Sequence, residues 1–394
     1  MASLSADIAR ATDAWAEEVL LDDLRHGLLR QPRVRTGGSG MRSRVDGRDI
    51  VVFSANDYLG LSAHPALRAA ASQAAMSDGV GATGSRHLSG AHQALVELEA
   101  ALAAFERTPT ATLAPSGYAA NLAVLTALGG DDAVIFSDAL NHASIIDGCR
   151  VSRARVEVFR HRDLEDLDTR LRGAAGRPVI VSDSVFSTEA TRADVGALLE
   201  LSRRYDAWLV LDEAHATGVL GPGGRGAAAD AGADAEPQLI RVVTLSKALG
   251  SAGAAVCASE QVRQLLLQRG RALIYSTALA HPIVAAAHAA LRLLVDEPRL
   301  VDRLHANTRF LQPLLEQVAS SERDRELPII PVILGQAQRT MAAEEALWEQ
   351  GWMVHGLRPP TVPAGSSRLR VMVSAAHHED QLRGVAAAVT AAVG

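Results

Sequence analysis

Residues 208–215 read Trp208-Leu209-Val210-Leu211-Asp212-Glu213-Ala214-His215, an apolar run that stops at an acid, with a histidine three residues on. Such a run lacks polar alternation and therefore suits a strand covered on both faces, as in a parallel sheet flanked by helices. Comparable runs recur at Pro178–Asp183, Arg241–Leu245 and Ala254–Ala258, separated by stretches of helical period. Shorter strands are read at Ala111–Ala114, Ala133–Ser137 and Val156–Phe159, with helices around Gln93–Arg107, from Ser116-Gly117 and from near His142. This alternation predicts an α/β fold with a mainly parallel sheet. On the N-terminal side, residues 5–30 read as an amphipathic helix, followed by a Gly/Arg-rich connection and a strand ending at Phe53. Beyond Ala280 the pattern changes to helices at His281–Asp296 and Arg299–Ser320, strands at Ile329–Leu334 and Leu369–Val373, and a closing helix from Glu379. The expected organisation is an N-terminal segment (1–50), a large α/β domain (51–285) and a smaller α+β domain (286–394).

Composition removes several classes of partner. The chain has 394 residues with 39 basic against 45 acidic, a net charge of −6, so the basic footprint of a nucleic-acid binder is missing. Cys149 and Cys257 show no metal-ligand or CxxC spacing and read as buried thiols in a reducing compartment. Residues 1–15 carry no apolar signal core, and Pro282–Val295 is interrupted by His288 and Arg292 and is too short to span a bilayer. A cytoplasmic protein without metal is expected. Within the basic count lies an oddity, since 38 residues are arginine and only Lys247 is lysine. Codon bias explains the general sweep. A position that kept its amine is a candidate for chemistry, because a guanidinium neither deprotonates nor forms an imine.

Gly79-Val80-Gly81-Ala82-Thr83-Gly84 fits GxGxxG, but a helical run (Ala66–Met76) precedes it where the dinucleotide fingerprint needs a strand. Its glycines are read instead as allowing backbone to approach a ligand or a partner chain. The informative residues stand at the carboxyl ends of the strands, where open α/β sheets bind ligands. These are Ser116-Gly117-Tyr118, Asn141-His142, Asp212 with His215, and Thr244-Leu245-Ser246-Lys247. Taken singly, Asp212 reads as a loop cap, His215 as a satisfied core histidine and Ser116 as a helix N-cap. Their convergence on the sole amine points elsewhere. An amine, an acid, histidines and a helix start able to seat a phosphate are what pyridoxal phosphate requires. The lysine forms the imine, the acid keeps the ring nitrogen protonated, and the released amine can take a Cα proton.

These segments also resemble a known family. Ser54-Ala55-Asn56-Asp57-Tyr58-Leu59-Gly60, Gly84-Ser85-Arg86-His87-Leu88-Ser89-Gly90, Ser116-Gly117-Tyr118, Asn141-His142-Ala143-Ser144, Asp212-Glu213-Ala214-His215 and Thr244-Leu245-Ser246-Lys247-Ala248-Leu249-Gly250 occur in the order found in the α-oxoamine synthases. The chain is similar to these pyridoxal-phosphate enzymes of the aspartate aminotransferase-like fold from about Ser54 onward. Arg358-Pro359-Pro360-Thr361-Val362-Pro363-Ala364-Gly365, followed by Arg368-Leu369-Arg370, is similar to the branch that condenses L-alanine with a pimeloyl thioester in biotin synthesis. A relative in secondary metabolism using another acyl thioester is the alternative, and a catalytically silent scaffold is the competitor outside the enzymes.

The resemblance implies roles residue by residue. Lys247 carries the imine, Asp212 pairs with the ring nitrogen and His142 stacks on the ring. His215 and Ser187 reach the phenolic oxygen side, while Thr244 and the amides of Gly117 and Tyr118 hold the phosphate. Arg358 binds the amino-acid carboxylate, and Arg30, Asn56, Ser85 and Thr361 line the substrate site. The small Ser85 leaves room for alanine's methyl group. A homodimer with shared sites is implied, with Ser276-Thr277 reaching the partner's phosphate. Two departures stand out. Ser187-Thr188-Glu189-Ala190-Thr191 replaces the family's aspartate-glycine turn, and Ala216 replaces a glycine.

Overall fold

The computed structural model describes residues 11–234 and 236–394. A seven-stranded sheet forms the centre, in spatial order Thr110–Ala114, Ala254–Ala258, Leu239–Thr244, Trp208–Asp212, Arg177–Asp183, Ala133–Asp138 and Arg155–Phe159. Ala254–Ala258 runs antiparallel to both its neighbours, and every other pairing in the sheet is parallel. The unbroken apolar runs have a direct cause. Side chains alternate between faces along a strand, and each face has its own core. Leu209 and Leu211 enter one cluster with Val243, while Val210 enters another with Val179, Val181, Ile240 and Val242. The helix Gly117–Leu128 covers the second face with Ala120, Ala123 and Val124. Gln93–Glu106, Val195–Arg204 and His281–Asp296 cover the first.

The sheet places the carboxyl ends of its parallel strands along one edge. Register puts Asp212 opposite Asp183 on one side and Val242 on the other. Thr244 pairs with Ala254, so residues 245–253 form a short connection between antiparallel strands, closed by Leu245 N donating to Gly253 O at 2.9 Å. That connection carries Lys247 at the sheet edge.

Around this centre, the expected helix at 5–30 is observed at Ala11–Arg25, and residues 5–10 lie outside the described residues. The Gly/Arg-rich connection contains a hairpin, Arg42–Val45 with Arg48–Val52, whose second strand pairs in parallel with Trp352–Met353. It buries only a small cluster of Val45, Ile50 and Trp348, so its strands carry little apolar pattern. Ile329–Gly335, Ser367–Met372 and His355–Leu357 form a three-stranded antiparallel sheet. No described helix is long and apolar enough to cross a membrane.

The loop that departs from the family pattern keeps a tight turn. Val185–Phe186 pairs with Thr191–Arg192, and Ala190 adopts φ 55°, a left-handed conformation that costs a non-glycine residue about 1 kcal/mol. Arg368 secures it by donating to Thr188 O at 3.0 Å and to Glu189 Oε1 at 3.3 Å. In the 79–90 segment, a Cβ at Gly84 would strike Ser89, and one at Gly90 would strike the Gly84 carbonyl oxygen and the Ala278 Cβ, whereas Gly79 and Gly81 have nothing within 4 Å.

Candidate active site

The strand Trp208–Asp212 delivers Asp212 to the sheet edge, and its neighbours fix it there. Ser184 donates to the Asp212 carbonyl from both its amide (2.9 Å) and its hydroxyl (2.8 Å). The Asp212 carboxylate accepts from Ala214 N at 2.8 Å and from Asn121 Nδ2 at 2.6 Å. Asn121 sits on the helix that begins at Gly117, where its amide also donates to Ser144 Oγ at 2.9 Å and its buried Oδ1 has no partner. Asp183, on the next strand, accepts the backbone amide of His142 at 2.7 Å. Burial, reinforced by the negative charge of Asp212, pushes the Asp183 carboxyl well above the usual range.

Lys247 faces this pair of carboxylates. Burial lowers its amine to about 8, with Asp212 and Asp183 opposing the shift and Arg370 adding to it. An ordinary lysine near 10.5 is almost wholly protonated at neutral pH, whereas an amine at 8 is about one-tenth neutral at pH 7. His215 is buried, and desolvation followed by Lys247, Arg370 and His142 lowers its pKa well below 6.5. Its Nδ1 lies 2.6 Å from the Tyr58 hydroxyl. His142 caps the helix Ala143–Val151 through Nδ1, which lies 2.7 Å from Ser144 Oγ and accepts from Ser144 N at 3.2 Å. Its pKa is also lowered, chiefly by desolvation, while Asp212 opposes.

An anion seat adjoins these groups. Thr244 Oγ1 lies 2.8 Å from Ser246 Oγ, and a Cβ built on Gly117 would contact Thr244 Oγ1 at 3.9 Å, so the helix start and the strand end meet. Ser116 caps the helix by accepting from Ala119 N at 3.1 Å. Gly117 and Tyr118 are the first two residues of that helix, and their amides are among those a helix leaves without an intrahelical acceptor. The Tyr118 ring is turned away, its hydroxyl bonded to Asp147. A depressed amine, a fixed carboxylate, two neutral imidazoles and a helix start flanked by hydroxyls form a donor set that fits pyridoxal phosphate.

The anticipated residues divide into two groups. Lys247, Asp212, His142, His215, Thr244, Gly117 and Tyr118 gather at the sheet edge. Ser187 joins them through Arg370, whose Nη1 donates to Ser187 Oγ at 3.3 Å. Arg358, Arg30 and Thr361 form a second cluster. Arg358 is buried, donates to Leu29 O at 2.8 Å, and has Arg30 and Glu344 as its charged neighbours. Arg30 donates to Pro359 O at 3.0 Å, and Thr361 N to Arg358 O at 3.0 Å. Asn56 stands in the turn that carries Tyr58, its Oδ1 buried without a partner. Ser85 bridges to Thr277, and its neighbour Arg86 is clamped by both oxygens of Glu99 at 2.6 and 2.7 Å.

Two residues at the edge carry no anticipated role. Arg370 occupies the strand Ser367–Met372, and its buried Nε has no partner. The alternation Arg368-Leu369-Arg370 on a strand with a buried core face was the available signal. Tyr58 is fully buried, and nothing local in its sequence tells it apart from a core aromatic.

Comparison with known proteins gives the family. The model of the family described as aminotransferase class I and II matches residues 48–389. 8-Amino-7-oxononanoate synthases of Burkholderia mallei and Burkholderia pseudomallei are 44% identical over 388 residues, covering 97% of this chain and 98% of theirs. Serine palmitoyltransferase of Sphingomonas wittichii superposes with a TM-score of 0.90 at 29% identity, over 98% of both chains. The 8-amino-7-oxononanoate synthase of Francisella tularensis superposes with a TM-score of 0.75 at 30% identity, over 87% of this chain and 97% of that one. The chain belongs to the class I and II aminotransferase family, within its α-oxoamine synthase branch.

Proposed function

We propose that the chain is a pyridoxal-phosphate-dependent acyltransferase that condenses L-alanine with pimeloyl-CoA, or a pimeloyl carrier protein, to give 8-amino-7-oxononanoate, the free thiol and CO2, in biotin biosynthesis. The observation that carries this reading is the sole lysine, buried at the sheet edge and facing Asp212 and Asp183. Full-length similarity to synthases of that name supports the choice of substrates. When bound, pyridoxal phosphate supplies an electron sink for the carbanion at the alanine Cα. Asp212, held by Asn121 and Ala214, would keep its ring nitrogen protonated, and His142 would lie against the ring. Thr244 with the amides of Gly117 and Tyr118 would hold the phosphate, and His215 and Ser187 would serve the phenolic oxygen side.

The Nζ of Lys247 removes the Cα proton. A bond then forms from Cα to the thioester carbonyl carbon, and the C–S bond breaks to release a thiolate, which takes its proton from solvent. The Cα–carboxylate bond breaks next with loss of CO2, and Lys247 returns a proton to Cα. Two arginines are candidates for the alanine carboxylate. Both have a buried Nε without a partner, but Arg370 lies close enough to Lys247 to oppose its protonation, whereas Arg358 donates to Leu29 O and has Arg30 and Glu344 as its charged neighbours. We place the carboxylate at Arg370 in the resting arrangement, with Arg358 joining on displacement of the Leu29 segment. Asn56, Ser85, Thr361 and Arg30 line the remaining substrate site.

A homodimer with shared sites is supported by exposed apolar side chains at Met76, Val80, Leu88 and Tyr275, which flank the bridged 85 and 277 segments. Ser276-Thr277 would then reach the phosphate of the partner subunit. The test is incubation of the purified protein with alanine and pimeloyl-CoA, following thiol release and product mass. The expected product is 8-amino-7-oxononanoate, with shorter and longer acyl-CoAs turned over more slowly. Faster turnover of another chain length would favour a secondary-metabolism relative, and no turnover with any of them would overturn the reading.

A further inference from the structure

We propose that Tyr58 is a positioning residue that fixes His215 in the tautomer bearing its proton on Nε2, so that His215 presents a hydrogen-bond donor to the reacting groups. The geometry starts from one contact, the Tyr58 hydroxyl 2.6 Å from His215 Nδ1, between two buried side chains. A buried phenol needs an acceptor for its proton. Among the described residues, Nδ1 of His215 is the one hydrogen-bond partner of the Tyr58 hydroxyl. Were Nδ1 to carry the proton and donate to the tyrosine oxygen, the phenol proton would be left buried and unpaired. Donation from Tyr58 to Nδ1 satisfies both groups and leaves the ring proton on Nε2.

Protonation states agree with this direction. Burial keeps the Tyr58 phenol protonated far beyond neutral pH. The groups around His215 are Lys247 from the 245–253 connection, Arg370 from the Ser367–Met372 strand and His142 from the adjacent helix cap. All act against a second proton on the imidazole, so the ring is neutral and has one proton to place.

Tyr58 is itself held by the C-terminal part of the chain. Ala375 N donates to Tyr58 O at 2.7 Å, and Ser374 Oγ donates to Asp57 O at 2.7 Å. On the other side, Asp57 accepts from Ser62 Oγ at 2.5 Å. The backbone of Tyr58 is therefore stapled to the segment that directly follows the strand carrying Arg370. This links the placement of the histidine to the docking of the C-terminal strands on the large sheet.

The inference rests on His215 belonging to the active site, and the experiment separates the two. In holoenzyme labelled with 15N in the histidine rings, with His215 assigned by loss of its signals in His215→Gln, the expected resting spectrum has the proton on Nε2 and a hydrogen-bonded, unprotonated Nδ1. This reading needs no turnover, so it stands or falls apart from the reaction. In Tyr58→Phe the Nδ1 resonance is expected to move to the position of a free unprotonated nitrogen, and kcat to fall about tenfold or more with the alanine KM within about twofold. A resting ring protonated on Nδ1 overturns the proposal. So does a Tyr58→Phe protein, folded by thermal melt, whose ring signals and kcat match those of the parent. If Tyr58→Phe does not fold, the tautomer read in the parent protein decides alone.

Discussion

Two buried charge clusters share the strands Trp208–Asp212 and Leu239–Thr244, and they differ in how their charges are answered. Midway along the second strand, Arg241 is fully buried and approaches Glu106 Oε2 to 3.0 Å while donating to the Glu106 carbonyl. The carboxylate is not aligned for a hydrogen bond, and burial pushes it upward to about 8 against the pull of Arg241. Nearby, Glu213 accepts from Ala227 N and Ala228 N at 2.8 Å each, and Arg225 pairs with Asp234. Each charge there faces an opposite charge or a backbone donor inside the fold, although Arg241 Nη1 and both Glu106 carboxylate oxygens lack an aligned hydrogen bond. At the strand ends, two carboxylates, Asp212 and Asp183, stand side by side, an amine is lowered toward neutrality, and Arg370 keeps a free Nε. Burial is common to both clusters. What distinguishes the functional one is that its charges are held apart from full internal neutralisation.

Removing the amine tests this contrast most severely. Lys247→Ala, and equally Lys247→Arg, is expected to lower turnover by at least about a thousandfold and to abolish the visible absorbance of the lysine imine. Measurable turnover above that floor would erase the distinction, because the chain has no second lysine to substitute. The internal cluster should respond in the opposite way. Glu106→Ala leaves Arg241 buried and unpaired and is expected to cost about 3–5 kcal/mol in denaturant titration. Its kcat per folded molecule should stay within about twofold, and a large kcat loss would show that the clusters are coupled.

The pH response sharpens the comparison. Capture of pyridoxal phosphate by apoprotein needs the neutral amine, so its rate should rise about tenfold per pH unit below 8 and level off above it. A rise that continues to pH 10 would mean that the lysine is not depressed. The smallest change lies at the rim of the site. Ser85→Thr adds one methyl group where alanine's methyl is expected, and should shift kcat/KM about tenfold from alanine toward glycine.

Much of the strand-end cluster was legible in the sequence because its residues follow directly on strands with unmistakable apolar runs. Asp212, Lys247 and His142 are each within four residues of a strand end, so their placement needs only a parallel sheet and its edge. Arg370 and Tyr58 were not legible as site residues, since each comes to His215 across more than 150 positions. Of the hairpin at 42–52, the second strand was legible as the one ending at Phe53, but the first, Arg42–Val45, was missed because it is short, largely exposed and half arginine, so no apolar period marks it.

From the chain alone, local pattern determined the α/β class, the strand ends that carry the chemistry-bearing residues and the one position where an amine had to survive. Tertiary structure decided that Ala254–Ala258 runs antiparallel, which folds the lysine connection back over the strand ends. It also decided which arginine stands beside that lysine, and that Tyr58 meets His215. These are contacts between segments far apart in sequence, and no local period encodes them, because they depend on how whole elements pack rather than on the propensities of any one.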